Sequence, residues 1–195
     1  NAPVTNSCCP LVQSTRNLTI NNTSTGITSA VIWLSTGASN NAIRNCAING
    51  NSATTTLFGI GSGGAAISTT SLGSSNNNNT FENNAISLCQ HGIYSYGAST
   101  SVYNTGTSIT LNSITGTGQS GVAYGMDNGA VVSCNTIDNV VSTLTVQDPC
   151  GINAGFTVVN GFGATTTGTS NSVINTTISS NRIGVVTNNQ TYSAI

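Results

Sequence analysis

The chain has 195 residues, enough for one domain with a buried core. It contains no Lys, three Arg and four acidic residues, and its formal net charge of −1 excludes the basic surface typical of nucleic-acid binding. Asn, Thr, Ser and Gly supply polar surface instead, while regularly placed Ile, Val and aromatic residues argue against disorder.

The N-terminal segment Asn1–Gln13 differs from the rest of the chain. It carries Pro3, Pro10 and the adjacent Cys8 and Cys9, and it matches none of the patterns that follow. We therefore predict an extended lead-in or inter-subunit segment over residues 1–13 and a single domain over residues 14–195.

Neither a membrane span nor a signal peptide is visible. The apolar run Ala30–Leu34 is far shorter than the 18 or more residues that a spanning helix needs. We expect a secreted protein, present here as its mature form or as a section of it.

One pattern recurs from Ser14 onward: an apolar residue, two variable residues, Asn, one variable residue and Ile. The copies are Phe81–Ile86, Ile109–Ile114, Val132–Ile137 and Ile178–Ile183, with Cys46 replacing Asn in Ile43–Ile48 and Leu18 replacing it in Thr15–Ile20. A Gly followed by an apolar residue comes after each copy, at Gly26, Gly59, Gly92, Gly121, Gly151 and Gly184. Helical periodicity is absent, so these repeats predict strands.

The spacing inside each copy predicts a bend at the Asn. Two apolar residues five positions apart lie on opposite faces of an unbroken strand, and a bend between them turns both inward. Asn tolerates the left-handed conformation that a sharp bend needs, and stacked amides can form a ladder in which each donates to the next. The predicted corner residues are Asn84, Asn112, Asn135 and Asn181, with Cys46 in the equivalent place.

In chain order, each predicted coil has a short strand, a corner, a second strand, a loop and a third strand. About six coils begin at Ser14, Asn40, Asn79, Thr107, Ala130 and Asn171. The loops absorb the differences in length, and they are Asn51–Phe58, Ser71–Asn78, Asn139–Cys150 and Gly161–Ser170.

With these corners and flanking apolar positions, the chain resembles the right-handed parallel β-helix proteins. That group includes the pectate-lyase-like superfamily and β-helix segments of secreted bacterial surface proteins. The resemblance covers Ser14 to the C-terminus and implies an all-β solenoid without substantial helix. It says little about function, because one fold hosts many functions.

The resemblance also raises the hypothesis of a polysaccharide lyase or glycosidase, which the composition disfavours. The titratable residues are Glu82, Asp127, Asp138, Asp148, Arg16, Arg44, Arg182 and His91. No two carboxylates occupy equivalent positions in adjacent coils, as a hydrolytic pair would require, and calcium needs more carboxylates than the chain supplies. We therefore predict no catalytic residue, no metal and no cofactor.

His91 and the tyrosines each have a structural interpretation and a functional one. His91 begins a strand, where an imidazole bonded to backbone or water is the simpler interpretation. Tyr94, Tyr96, Tyr103 and Tyr124 could form a strip that stacks on sugars, or they could pack inside the coils. Trp33 is interpreted as packing near the N-terminal end.

The chain has six cysteines, and their spacing fits no zinc motif. We favour disulfides in an oxidising compartment over buried free thiols, among Cys8, Cys9, Cys46, Cys89, Cys134 and Cys150. The pairing is left open, with tethering of the N-terminal segment through Cys8 or Cys9 as one option.

Several Asn residues lie in Asn-x-Ser/Thr sequons, some of which arise by chance in such a composition. The candidates for glycosylation are Asn17, Asn21, Asn22, Asn78, Asn175 and Asn189.

The ends of the solenoid give the strongest indication of function. Neither end carries an amphipathic helix, no Lys protects an edge, and Thr191–Ile195 still has the pattern of a strand. Two explanations fit these ends: the chain is a section of a longer solenoid, or the ends pair with neighbouring copies. The leading hypothesis is an extracellular structural protein whose subunits stack end to end into a filament or surface fibre, with itself as partner. The alternatives are a carbohydrate-binding adhesin module, an ice-binding solenoid and, after the adhesin, an enzyme.

Overall fold

A computed structural model describes residues 9, 15–141, 149–155 and 173–187. These residues form 17 strands and no helix. The strands are β1 (Leu18–Asn21), β2 (Ser29–Leu34), β3 (Ala42–Arg44), β4 (Cys46–Asn49), β5 (Thr56–Ser62), β6 (Thr80–Glu82), β7 (Ala85–Tyr96), β8 (Asn104–Thr105), β9 (Ser108–Thr110), β10 (Ser113–Gly125), β11 (Asp127–Asn128), β12 (Val131–Ser133), β13 (Thr136–Val141), β14 (Cys150–Ala154), β15 (Thr177–Ser179), β16 (Arg182–Ile183) and β17 (Val186–Thr187).

The strands form sheets in which neighbours come from successive repeats. A ten-stranded sheet has the order β1-β4-β7-β10-β13-β16, with β2, β5, β14 and β17 attached at its side. A five-stranded sheet has the order β15-β12-β9-β6-β3, and β8 pairs with β11. Every pairing between these strands is parallel, so the prediction of an all-β chain of parallel strands is confirmed.

We call one passage of the chain through the sheets a layer. The first layer is β1 and β2, the second β3 to β5, the third β6 and β7, the fourth β8 to β10, the fifth β11 to β14 and the sixth β15 to β17. Because adjacent layers pair in parallel register, equivalent residues of the repeats lie one above another in columns.

Two apolar columns build the core. In the five-stranded sheet the column is Ile43, Phe81, Ile109, Val132 and Ile178, and in the ten-stranded sheet it is Ile20, Ile48, Ile86, Ile114, Ile137 and Ile183. The inner members are at most 1% exposed and belong to one cluster. Burial of each such side chain contributes about 1.5–3 kcal/mol, so these columns hold the layers together.

The bend between the two columns differs in one detail from the prediction. The left-handed residue directly precedes each predicted corner residue, the four Asn and Cys46: φ is 57° at Asn45, 52° at Asn83, 61° at Leu111, 57° at Cys134 and 55° at Ser180. The assignment of this conformation to the corner Asn itself was therefore wrong. A single left-handed residue makes the turn, and the next side chain then points into the interior.

Two predicted strand breaks are also absent. β7 and β10 each run through the predicted boundary between second and third strands, passing left-handed Leu88 (58°) and Gly116 (65°). β5 begins at Thr56, inside the loop predicted over Asn51–Phe58.

The recurring Gly of each repeat is explained by packing between layers. Gly59, Gly92, Gly121 and Gly151 occupy equivalent register positions. A Cβ on Gly121 would come within 2.4 Å of Ile137 Cγ2 and 2.8 Å of the Gly151 carbonyl oxygen. Each of these glycines thus makes room for the Ile of the following layer.

Replacing Gly121 by Ala should therefore overpack the core and destabilise the protein by about 2 kcal/mol. Urea denaturation of Gly121→Ala measures this loss. Gly26→Ala is the matched control, because its Cβ would meet only Ser24 Oγ at 3.4 Å. Equal stability of the two variants would contradict the packing role.

The cysteines follow the disulfide prediction only in part. Cys9 and Cys134 form a disulfide across 125 residues. Cys46 and Cys89 are buried free thiols, contrary to the preference for disulfides. In the parallel register Cys46 stands opposite Leu18 and Cys89 opposite Thr117, so no cysteine of the paired strand faces either of them. Cys8 lies outside the described residues.

Candidate functional site

The acidic side chains that the structure describes are distributed over separate strands rather than gathered at one place. Glu82 on β6 receives a salt bridge from Arg44 on β3, with Nε to Oε2 at 2.8 Å. Asp127 is buried on β11, Asp138 is exposed on β13, and Asp148 lies outside the described residues. Among the described residues, no three His, Cys, Asp or Glu side chains are placed to hold a metal ion.

His91 and Ser120 form the most enzyme-like contact in the described chain. His91 Nδ1 and Ser120 Oγ are 2.7 Å apart, a geometry that can activate a hydroxyl nucleophile. Both residues are at most 1% exposed, and the imidazole packs beside Phe58 and Tyr94. The two residues are in register on β7 and β10, so their contact links the third and fourth layers inside the protein.

The tyrosines do not form an exposed strip. Tyr94 and Tyr96 are fully buried and stack with ring centroids 4.7 Å apart, beside Phe58 and Trp33. The Tyr94 hydroxyl donates to the Thr69 carbonyl oxygen at 3.0 Å, and burial raises the pKa of Tyr94 above its usual range. Tyr124 is buried in the main core. The sugar-stacking interpretation is therefore wrong for these three residues.

The predicted corner asparagines lie one above another and are hydrogen-bonded in series. Asn84 Nδ2 donates to Asn112 Oδ1 (3.1 Å), Asn112 Nδ2 to Asn135 Oδ1 (3.0 Å) and Asn135 Nδ2 to Asn181 Oδ1 (2.9 Å). Each Oδ1 also accepts a backbone N–H from the preceding layer, starting with Cys46 N–H to Asn84 Oδ1 at 3.1 Å. Nδ2 of each of the four asparagines also donates to a backbone carbonyl oxygen of the preceding layer.

Asn112→Val should destabilise the protein by about 3 kcal/mol, since it leaves partners in the third and fifth layers without their bonds. Denaturant titration monitored by circular dichroism measures the loss. Thr115→Val, at an exposed position of β10, the strand that follows Asn112, is the control and should change stability little. A melt of Asn112→Val that matches wild type would show that the amide series adds no stability.

Sequence reasoning missed a second buried polar column, in which an acid follows two asparagines. Asn104 Oδ1 accepts from Asn76 N–H at 3.1 Å, and Asp127 stands in register with Asn104. The Thr107 hydroxyl donates to Asp127 Oδ2, whereas Asp127 Oδ1 and Asn104 Nδ2 make no hydrogen bond among the described residues. Burial raises the pKa of Asp127, and the hydrogen bonds from Thr107 oppose this.

Asp127→Asn should stabilise the protein at pH 7 by about 1 kcal/mol, because an amide carries no charge to desolvate. A raised folded-state pKa favours folding at low pH, and that contribution is lost as the pH rises through it. The gain should therefore shrink below pH 4, near the pKa of an unperturbed Asp. Melting temperatures of wild type and Asp127→Asn at pH 7 and below pH 4 measure this gain in stability.

Asp138→Asn is the control, and we expect it to change the stability of the protein in the opposite direction. Hydrogen bonds from the Val185 and Asn139 backbone N–H groups hold the pKa of this exposed carboxyl below its usual range. Its substitution should lower the melting temperature at pH 7. A lower melting temperature for Asp127→Asn at pH 7 would contradict the cost of burying the charge.

The predicted glycosylation sites have different surroundings. The Nδ2 groups of Asn22, Asn78 and Asn175 donate to Ala30 O, Asn40 Oδ1 and Asn128 Oδ1, respectively. Asn17 and Asn21 are exposed, and Asn49 Nδ2 donates to Asn21 Oδ1. Asn189 lies outside the described residues.

The end layers expose residues whose equivalents in other layers are buried. Ile178 in the sixth layer is 49% exposed, whereas Val132 beside it in the fifth is 0% exposed. At the other end Leu18 is 59% exposed, whereas Cys46 beside it is 8% exposed. Val185 and Ile27 are also exposed at these ends. These two end surfaces are the candidate functional site.

Comparisons with known proteins identify no relative: no family model, curated protein or solved structure matches the chain. Within the part of the chain that the structure describes, there is no helix long and apolar enough to cross a membrane.

Proposed function

We propose that the chain is a right-handed parallel β-helix and that its role is structural, with extracellular subunits joined end to end into a filament or surface fibre. The fold proposal is supported by three features: the parallel pairing of successive layers, the two inward apolar columns and the series of corner amides. The family resemblance noted in the sequence agrees with them.

The observation that carries the function is the exposure of inward columns at both ends. Ile178 and Leu18 occupy positions whose neighbours one layer inward are buried, so each end has the surface of a layer that another layer would cover. The terminal strands β1, β3, β15 and β16 also lie at the edges of their sheets among the described strands. Exposed edges and apolar side chains together favour strand addition.

A second copy of the chain is the occupant that fits these ends. One end of the first copy meets the opposite end of the second, a heterologous contact that repeats without closing. The net charge of −1 opposes such an approach only weakly. Near one end Arg44 forms a salt bridge with Glu82 of the adjacent layer, and near the other Arg182 lies close enough to Asp138 to lower the pKa of that carboxyl, so these charges are partly compensated within one copy.

An oxidising location is supported by the Cys9–Cys134 disulfide, since such bonds persist mainly outside the cytosol. This bond also bears on the covalent link between subunits that Cys8 or Cys9 could provide. Cys9 is already bonded to its own chain, so it does not provide the covalent link between subunits that the lead-in segment could otherwise supply.

Negative-stain electron microscopy and sedimentation velocity test the proposal. Wild type should form fibres with an axial repeat of about 30 Å, from six layers spaced 4.7–4.9 Å apart. Ile178→Asp and Leu18→Asp should remain monomeric while keeping the wild-type circular dichroism spectrum. Thr115→Asp, on the outer face of the fourth layer, is the control and should still assemble. Wild type that stays monomeric at its highest soluble concentration would refute the filament.

A further inference from the structure

Two residues that precede β1, Cys9 and Arg16, each contact the bend of a later layer. Cys9 is bonded to Cys134, the left-handed residue at the bend of the fifth layer. Arg16 Nε donates to the Asn83 carbonyl oxygen at 2.9 Å and Arg16 Nη2 to Asn83 Oδ1 at 3.1 Å, at the bend of the third layer. The chain therefore reaches the first layer only after contacting the fifth and the third.

A linear stack is weakest at its ends, because each layer contacts only its neighbours and the last layer has one neighbour. Among the described strands, β1 pairs only with β4, and β2 only with β5. Without another constraint, the first layer would open by breaking one interface while the other layers stay folded.

The disulfide supplies that constraint. Leu18, the first residue of β1, is nine positions after Cys9, and four layer spacings of about 4.8 Å separate its layer from that of Cys134. An opened first layer would remain tethered by this short segment to a folded layer. Such a tether keeps the effective concentration of the opened first layer near the second layer high, and it therefore favours rapid reclosure.

We propose that the Cys9–Cys134 disulfide and Arg16 form a redox-sensitive strap that holds the first layer closed by anchoring the chain before β1 to the fifth and third layers. Both cysteines are only partly buried, so a dithiol can reach the bond. A dithiol reductant attacks one sulfur and then closes on itself. The S–S bond is broken, Cys9 and Cys134 become thiols, and the reductant becomes a cyclic disulfide.

Hydrogen exchange followed by mass spectrometry tests the strap in the full chain. After reduction by dithiothreitol, the amides of β1 and β2 should exchange at least about tenfold faster, while those of β9 and β10 change little. Arg16→Gln in the oxidised protein should give a smaller increase in the same two strands.

The double variant Cys9→Ser/Cys134→Ser is the control for the reductant. It should exchange like the reduced wild type and should not respond to dithiothreitol. Equal protection of β1 and β2 before and after reduction would overturn the proposal. An equal increase in all layers would overturn it as well, because the bond would then stabilise the whole stack rather than the first layer.

Discussion

A buried asparagine amide has to find partners for one carbonyl oxygen and two N–H protons, and this requirement underlies the stacking of the layers. Asn112 can satisfy it only with groups from the layers on either side, since its own strands use their backbone bonds in the sheets. A shift of one residue in register would break these bonds and turn every apolar side chain outward. The amide series and the apolar columns therefore require the same register.

The core could be predicted from the sequence because its signal is local and repeated. The pairs Phe81/Ile86 and Ile109/Ile114 show five-residue spacing around an Asn, and only an inward bend buries both members of each pair. The left-handed residue could not be located in this way. Asn favours both that conformation and buried amide pairing, whereas Leu111, Cys134 and Ser180, which adopt the conformation, carry no preference for it.

Contacts between segments that are far apart in the sequence could not be predicted, because no repeated pattern marks them. The Cys9–Cys134 pairing depends on the path of the segment before β1, and no repeat specifies that path. Burial of Tyr94 and Tyr96 depends on the chain that covers the outer face of β7, including Thr69, which accepts the Tyr94 hydroxyl. Their i, i+2 spacing placed them on one face of a strand without showing whether that face is covered.

Two of the three arginines lie where a stack of strands most needs charge. Arg44 is on β3 and Arg182 is on β16, both terminal strands of the described sheets, whereas the Arg16 guanidinium is bonded to Asn83 in the third layer. Charge at an edge discourages indiscriminate pairing. Subunits that join through these ends would need a register that accommodates the guanidinium groups, which restricts the contact to few partners.

The corner amides also give the molecule an electrical direction. In Asn84, Asn112 and Asn135 one N–H donates to the amide oxygen of the next layer while the side-chain oxygen accepts from the preceding layer, so these three side-chain dipoles share one direction along the stack. As in a helix, aligned dipoles leave partial positive charge at the donor end and partial negative charge at the other. The two ends of the stack are thus electrostatically inequivalent. Two copies placed head to tail would keep their dipoles aligned, whereas copies placed head to head would oppose them.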